Sequence, residues 1–124
     1  MVIDTDILID FLRGNAGARD FLLSLPDDAM PSCSAITVAE IYAGMRDSER
    51  KKTRELLESM TVLPVTAEVA ELAGTLKRDM TGFDLSLDDC LIAATAVTEA
   101  VHLATRNSKH YPMEQVKLRV PEYI

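Results

Sequence analysis

Apolar runs of strand length alternate with segments whose apolar residues recur at helical spacing along the whole chain, and that alternation leaves few folds open. Residues 1–4 read as a short strand, followed by a helix from about Asp6 to Arg13 that Gly14 stops. A second helical stretch, AGARDFLLSL, ends at Pro26, and AMPSCSA reads as a strand. ITVAEIYAGM carries Val38, Ile41, Tyr42 and Met45 at helical spacing, and RDSERKKTRELLESM is an amphipathic helix with Leu56, Leu57 and Met60 inward. TVLPV is a short strand. Val69, Leu72, Ala73, Leu76 and Met80 mark one face of a long helix closed by Gly82. SLDDCLIAATAVTEA is apolar on most sides and is expected to be a central helix, and VHLATR and VKLRV complete the strands. Strands separated by helices imply a parallel sheet covered on both faces, a three-layer α/β/α arrangement in one domain spanning 1–124.

Right-handed crossovers place the C-terminal ends of such strands along one edge, where ligands of open parallel sheets bind. Polar groups that follow strands or open helices are therefore the first candidates for chemistry. Asp4 closes the first strand, and Glu40 is placed in the first turn of the helix after the second. Asp88 and Asp89 open the helix SLDDCLIAATA, and Asn107 and His110 follow the strand VHLAT. Carboxylates brought together repel: two charges about 5 Å apart at an effective dielectric near 20 cost roughly 3 kcal/mol. A hard divalent cation relieves that cost, and oxygen donors without a Cys or His pair favour Mg²⁺ or Mn²⁺ over zinc. A plainer role exists for several of these acids. Thr37–Glu40 and Ser86–Asp89 both fit capping boxes, and Asp6 reads as a cap for the helix it opens. Asp4 resists that account, because an acid on a buried strand needs a partner.

Composition narrows the class further. The net charge of −7 argues against nucleic-acid binding driven by bulk charge, but a carboxylate-rich catalytic site is itself acidic. Cys33 and Cys90 sit in apolar company with no CxxC pattern, as buried thiols do. No apolar run approaches a membrane span, and Met1-Val2-Ile3 is too short for a secretory h-region, so the cytoplasm is the expected location.

Four ordered motifs, VIDTDILIDFLRG, SAITVAEIYAGM, LSLDDCLIAATA and LATRNSKHYP with VKLRVPEY, give a chain that resembles the PIN-domain ribonucleases, specifically the VapC-type toxins of toxin–antitoxin pairs. The resemblance implies a PIN-like α/β/α fold and a Mg²⁺- or Mn²⁺-dependent endoribonuclease. It assigns Asp4, Glu40 and Asp89 as the acids that hold the metal, with Asp88 a peripheral neighbour. At the fourth position relatives carry an acid in a T-R-N-x-x-acid-aromatic turn, whereas this chain has Asn107 and His110, which implies one tightly held ion rather than two. Arg13, Arg46, Arg106, Lys109 and His110 are candidates for phosphate contacts, and the basic run RKKTR at 50–54 for a more distant one. The implied partners are RNA, a small antitoxin and a second copy of the chain.

Two other readings compete. The fold could serve as a binding module with a degenerate site, as the altered fourth position allows. IDTDI also resembles the DxD strand end of haloacid-dehalogenase phosphatases, with Asp4 as nucleophile and Asp6 as acid/base, although Leu8 stands where that pattern has Thr or Val. A nucleotide-binding domain is disfavoured, since no Gly-rich loop follows the first strand.

Overall fold

The computed structural model describes residues 1–26 and 30–124. Five strands, β1 (Val2–Ile3), β2 (Ser32–Ser34), β3 (Thr61–Leu63), β4 (Leu103–Ala104) and β5 (Leu118–Arg119), form one parallel sheet in the order β3-β2-β1-β4-β5. Among the described residues six α-helices connect them: α1 (Thr5–Leu12), α2 (Ala16–Ser24), α3 (Ala35–Gly44), α4 (Arg50–Glu58), α5 (Ala67–Asp79) and α6 (Leu87–Thr98). The chain moves outward from β1 through β2 to β3, then returns by α5 and α6 to the other side of β1. The order therefore reverses between β1 and β4, and a crevice opens beyond their C-terminal ends.

Side-chain alternation along β1 divides the core. Val2 and Leu103 pack with α5 and α6 through Ala73, Leu76, Ile92 and Ala96. Ile3, Cys33 and Ala104 point the other way and pack with Ile7, Leu8, Phe21, Ile41 and Leu57 from α1, α2, α3 and α4. These two apolar layers enclose the sheet, which is the α/β/α arrangement expected from the alternation. Helix α6 is the central helix anticipated: Cys90 and every residue from Ile92 to Ala96 are buried. Both cysteines are buried free thiols.

The elements are shorter than the patterns that announce them. In AMPSCSA only Ser32–Ser34 pair as a strand, because Pro31 lacks an amide hydrogen and Ser34 already caps α3; Ala29 lies outside the described residues. RDSERKKTRELLESM begins as a 3₁₀ turn at Asp47–Glu49 before α4 starts. In α3 the buried stripe runs through Thr37 and Ile41, which leaves Tyr42 38% exposed although its spacing pointed inward.

The C-terminal segment is fastened across the α1–α2 turn. Tyr123 donates its hydroxyl to Asp10 Oδ2 at 2.7 Å, and Asn15 Nδ2 donates to the Ile124 carbonyl at 3.1 Å. Tyr123 lies so close to Gly17 that a Cβ there would overlap its side chain, so α2 must carry a glycine at this crossing. Gly17→Ala is expected to lift Tyr123 off the helix at a cost of about 1–3 kcal/mol. Thermal melts read the net change, which includes the roughly 1 kcal/mol that alanine gains over glycine in a helix, and a melting temperature raised by that full gain would show that the segment contributes nothing to stability.

Candidate active site

The site starts from β1. The strand ends at Ile3, and Asp4 becomes the N-cap of α1, its Oδ1 accepting the Thr5 amide at 2.8 Å. Only 5% exposed, Asp4 is an acid in the core, and its Oδ2 accepts from Thr105 Oγ1 at 2.7 Å and from the Tyr111 hydroxyl at 3.0 Å. Thr105 directly follows β4, so these bonds span the crevice where the strand order reverses. Asp4 is thus the buried acid with partners that the sequence demanded.

Asp6 does not cap the helix as expected, because α1 begins one residue earlier with Asp4 in that role. Its carboxylate instead accepts the Ile7 amide at 2.8 Å and, from the far side of the crevice, the Arg106 amide at 2.9 Å. An acid occupied in this way is poorly placed to serve Asp4 as the acid/base of a phosphatase.

Glu40 lies in the second turn of α3, not the first, because Ser34 caps that helix by accepting the Ile36 amide at 3.1 Å. The Thr37–Glu40 capping box is therefore absent. Thr5 Oγ1 donates to Glu40 Oε1 at 2.6 Å and lies 3.0 Å from Thr37 Oγ1, which ties α3 to α1 beside Asp4. At α6 the hydroxyl of Ser86 does accept the Asp89 amide, at 3.1 Å, so half of that box forms. The Asp89 carboxylate is left for other work: its Oδ1 is 3.4 Å from the Tyr111 hydroxyl, and its Oδ2 is 3.3 Å from His110 Nδ1. Asp88 is exposed on the rim. Asn107 is also exposed, its amide held by Thr105 Oγ1 at 3.0 Å.

An open crevice of about 520 Å³ is lined by Glu40, Asp88, Asp89, Lys109 and His110. Two of the proposed phosphate contacts, Lys109 and His110, therefore stand beside the acids. Arg106 is engaged elsewhere: its guanidinium lies 4.1 Å from the Tyr123 ring centre, donates to the Tyr123 carbonyl at 2.6 Å and is 3.6 Å from Asp10. Arg13 and Arg46 follow the C-terminal ends of α1 and α3, so each is separated from the acid edge by the length of a helix. Of the basic run, Arg50, Lys51, Lys52 and Arg54 are exposed on α4.

Burial pushes the Asp4 carboxyl up from its ordinary value; bonds from Thr105, Thr5 and Tyr111 oppose the shift, and the Asp89 charge adds to it. Burial likewise raises Glu40, opposed by Thr5 and reinforced by Asp88, Asp4 and Asp89. Asp6 is raised to about 6 by burial and by the Asp4 charge. The Tyr111 hydroxyl, buried beside Asp4 and Asp89, is pushed far up and keeps its proton. Desolvated acids that repel one another are suited to taking up positive charge. Among the described residues, no group of three or more His, Cys, Asp or Glu side chains is arranged so that it could hold a metal ion as it stands. Hydroxyl groups stand among the acids instead, and their oxygens, like the carboxylates, suit a hard cation rather than a soft one.

The residue pattern did not assign roles to Thr5, Thr105 or Tyr111. Threonines immediately after β1's acid and after β4 were a usable signal, since a hydroxyl at a buried strand end needs a partner as much as an acid does.

A parallel sheet with this strand order and acids gathered at its reversal point is a PIN fold, and the chain belongs to the PIN-domain family, whose pattern matches residues 1–115. Among characterised relatives it is 41% identical over 120 residues to Ribonuclease VapC10 of Mycobacterium tuberculosis, covering 94% of this chain and 90% of that one. A toxin–antitoxin complex from Klebsiella pneumoniae contains a chain of the same fold, with TM-score 0.84, 28% identity and coverage of 99% and 98%. VapBC2 of Rickettsia felis, solved with a DNA fragment from its promoter, aligns with TM-score 0.87 at 20% identity over 98% of each chain, which speaks to the fold.

Proposed function

We propose that this chain is a VapC-type endoribonuclease that hydrolyses RNA phosphodiester bonds with a Mg²⁺ or Mn²⁺ ion held by Asp4, Asp89 and Glu40. The observation that carries the reading is the arrangement of acids from β1, α3 and α6 around the reversal point of the sheet, linked through Thr5 and Tyr111. Likeness to a named ribonuclease over nearly the whole length supports the reaction class. The metal follows from the donor chemistry: oxygen ligands only, with acids whose charge is costly without a cation. When bound, such an ion polarises the phosphoryl group and supplies an activated water.

The chain's own residues have separable tasks. Asp4 is held rigidly by the Thr5 amide and by the Thr105 and Tyr111 hydroxyls, so it fixes one side of the site. Glu40, tied by Thr5 and half-exposed, can reach the crevice and orient a water as base. Lys109 offers positive charge and His110 a ring nitrogen to a phosphate on the rim, and Asn107 offers a neutral amide. Arg106 stays fastened to Tyr123 and Asp10, so it secures the turn after β4 rather than the substrate. His110 beside Asp89, in place of the acid that the family resemblance implies at this turn, favours a single ion over two.

The relatives' assemblies extend the proposal to partners: a small antitoxin and a second copy of this chain, working in the cytoplasm. Among the described residues no helix is long and apolar enough to cross a membrane.

Mn²⁺ is expected to raise the melting temperature of the wild-type chain, following the mass-action stabilisation of a folded state by its ligand. Asp89→Asn should lose most of that rise together with RNA cleavage, while Glu40→Gln, which keeps an oxygen donor but no basic carboxylate, should lose less of the rise than of turnover. The lack of a metal-ready group of three acids among the described residues joins the altered fourth position in favouring the binding-module reading. Calorimetric titration decides between them, since absence of Mn²⁺ binding at millimolar concentration would favour the module.

A further inference from the structure

Tyr111 is 3% exposed and packs in the α5–α6 half of the core with Met113 and Val116, so its ring direction is set by packing. Its backbone is set by the 3₁₀ turn after β4, where the His110 and Tyr111 amides donate to the carbonyls of Asn107 and Ser108 at 2.9 and 3.0 Å. This aims one hydroxyl between two acids of different elements, 3.0 Å from Asp4 Oδ2 and 3.4 Å from Asp89 Oδ1. Ionised carboxylates only accept, so a bond between them needs a hydrogen from a third group. Among the hydrogen bonds of the described residues, Tyr111 is the group that reaches both acids. Thr105 serves Asp4, and the ring of His110 serves Asp89.

We propose that Tyr111 is a positioning residue: its hydroxyl holds Asp4 and Asp89 together in the ion-free protein, in the role that a cation takes over on binding. The inference rests on the ion reading above, but the holding itself needs no ion. Without the hydroxyl, two facing carboxylates have no hydrogen between them and their repulsion acts in full. With a cation present the hydroxyl becomes dispensable for stability, because the positive charge performs the same service more strongly.

Tyr111→Phe keeps the ring and its packing and deletes only the bridge. In chelator it is expected to melt about 6–12 °C below wild type, the scale of one lost hydrogen bond to a charged group in a chain of this size. Saturating Mn²⁺ should close most of that gap. An equal deficit with and without Mn²⁺, or no deficit at all, would overturn the proposal, because a merely structural hydroxyl cannot be replaced by an ion. A second readout needs no metal: combined with Asp89→Asn in chelator, Tyr111→Phe should cost little more, since the repulsion it restrains is gone. What remains of its cost there is the bond to Asp4, so the expected result is a cost clearly smaller than in the wild-type background, and additive losses would overturn the positioning role. Should the wild-type melt ignore Mn²⁺, the ion reading fails, and this cycle alone decides for or against the hydroxyl.

Discussion

Asp4→Asn is expected to lower RNA cleavage about a thousand-fold, about 4 kcal/mol of barrier, while leaving the ion-free protein at least as stable as wild type. The two halves of this expectation have one cause. Asp4 is buried, and burial is the largest influence on its carboxyl, so the charged form is disfavoured by the very fold that positions it. Asparagine has the same shape and carries no charge. Its oxygen can still accept the Thr5 amide, and its amide hydrogens can donate to the Thr105 and Tyr111 hydroxyls, which reverse their direction. The cap of α1 therefore survives and the desolvation cost disappears. What would be lost is the negative charge on which the proposed ion would depend. On the proposed reading, stability is given up for function at Asp4, a trade familiar from active sites. Melting curves in chelator, run beside cleavage assays, check both halves. Retained cleavage would remove Asp4 from the chemistry, and a fall of many degrees would make it a structural cap first.

The architecture was legible because its signals are redundant. Each strand is announced by its own apolar run and by the helix patterns on either side, so shortening β1 or β4 to two residues did not disturb the order of elements. Cap positions were less legible. Thr37 and Ser34 both precede suitable residues, and only the early start of α3 decides that Ser34 caps it and Glu40 sits a turn further in. Asp4 and Asp6 present the same ambiguity at α1. Single cap motifs are interchangeable locally, and the tertiary fit selects among them. The acids themselves could be found by type and place. The hydroxyls between them could not be assigned, since which oxygen a buried threonine or tyrosine reaches depends on packing across four elements. Arg106 illustrates the same limit: a cation beside the motif looked free in sequence, yet Tyr123, seventeen residues on, occupies it.

The desolvated acids also set the direction of the pH response. In chelator the melting temperature is expected to rise by a few degrees as pH falls from about 7.5 to about 5.5, opposite to the usual behaviour of proteins whose acids are stabilised by folding. Asp6 titrates near 6 in the folded chain, against 3.8 when unperturbed, and Asp4 and Glu40 are shifted in the same direction. Between the unfolded and folded values the native state binds more protons than the unfolded one, so stability falls as pH climbs through the folded value and gains as it drops. Asp10 and Asp4 face Asp6 with negative charge, while the Ile7 and Arg106 amides oppose the shift without cancelling it. A cation held by Asp4, Asp89 and Glu40 would invert this response, because protons would compete with it for those oxygens, and its charge beside Asp4 would draw Asp6 back toward its ordinary value. With saturating Mn²⁺ the melting temperature should therefore fall over the interval in which the chelated protein gains. Opposite slopes in the two buffers would tie the proton and the ion to one set of carboxylates. A chelated protein that loses stability on acidification from 7.5 to 5.5 would mean that these acids do not carry the desolvation cost assigned to them.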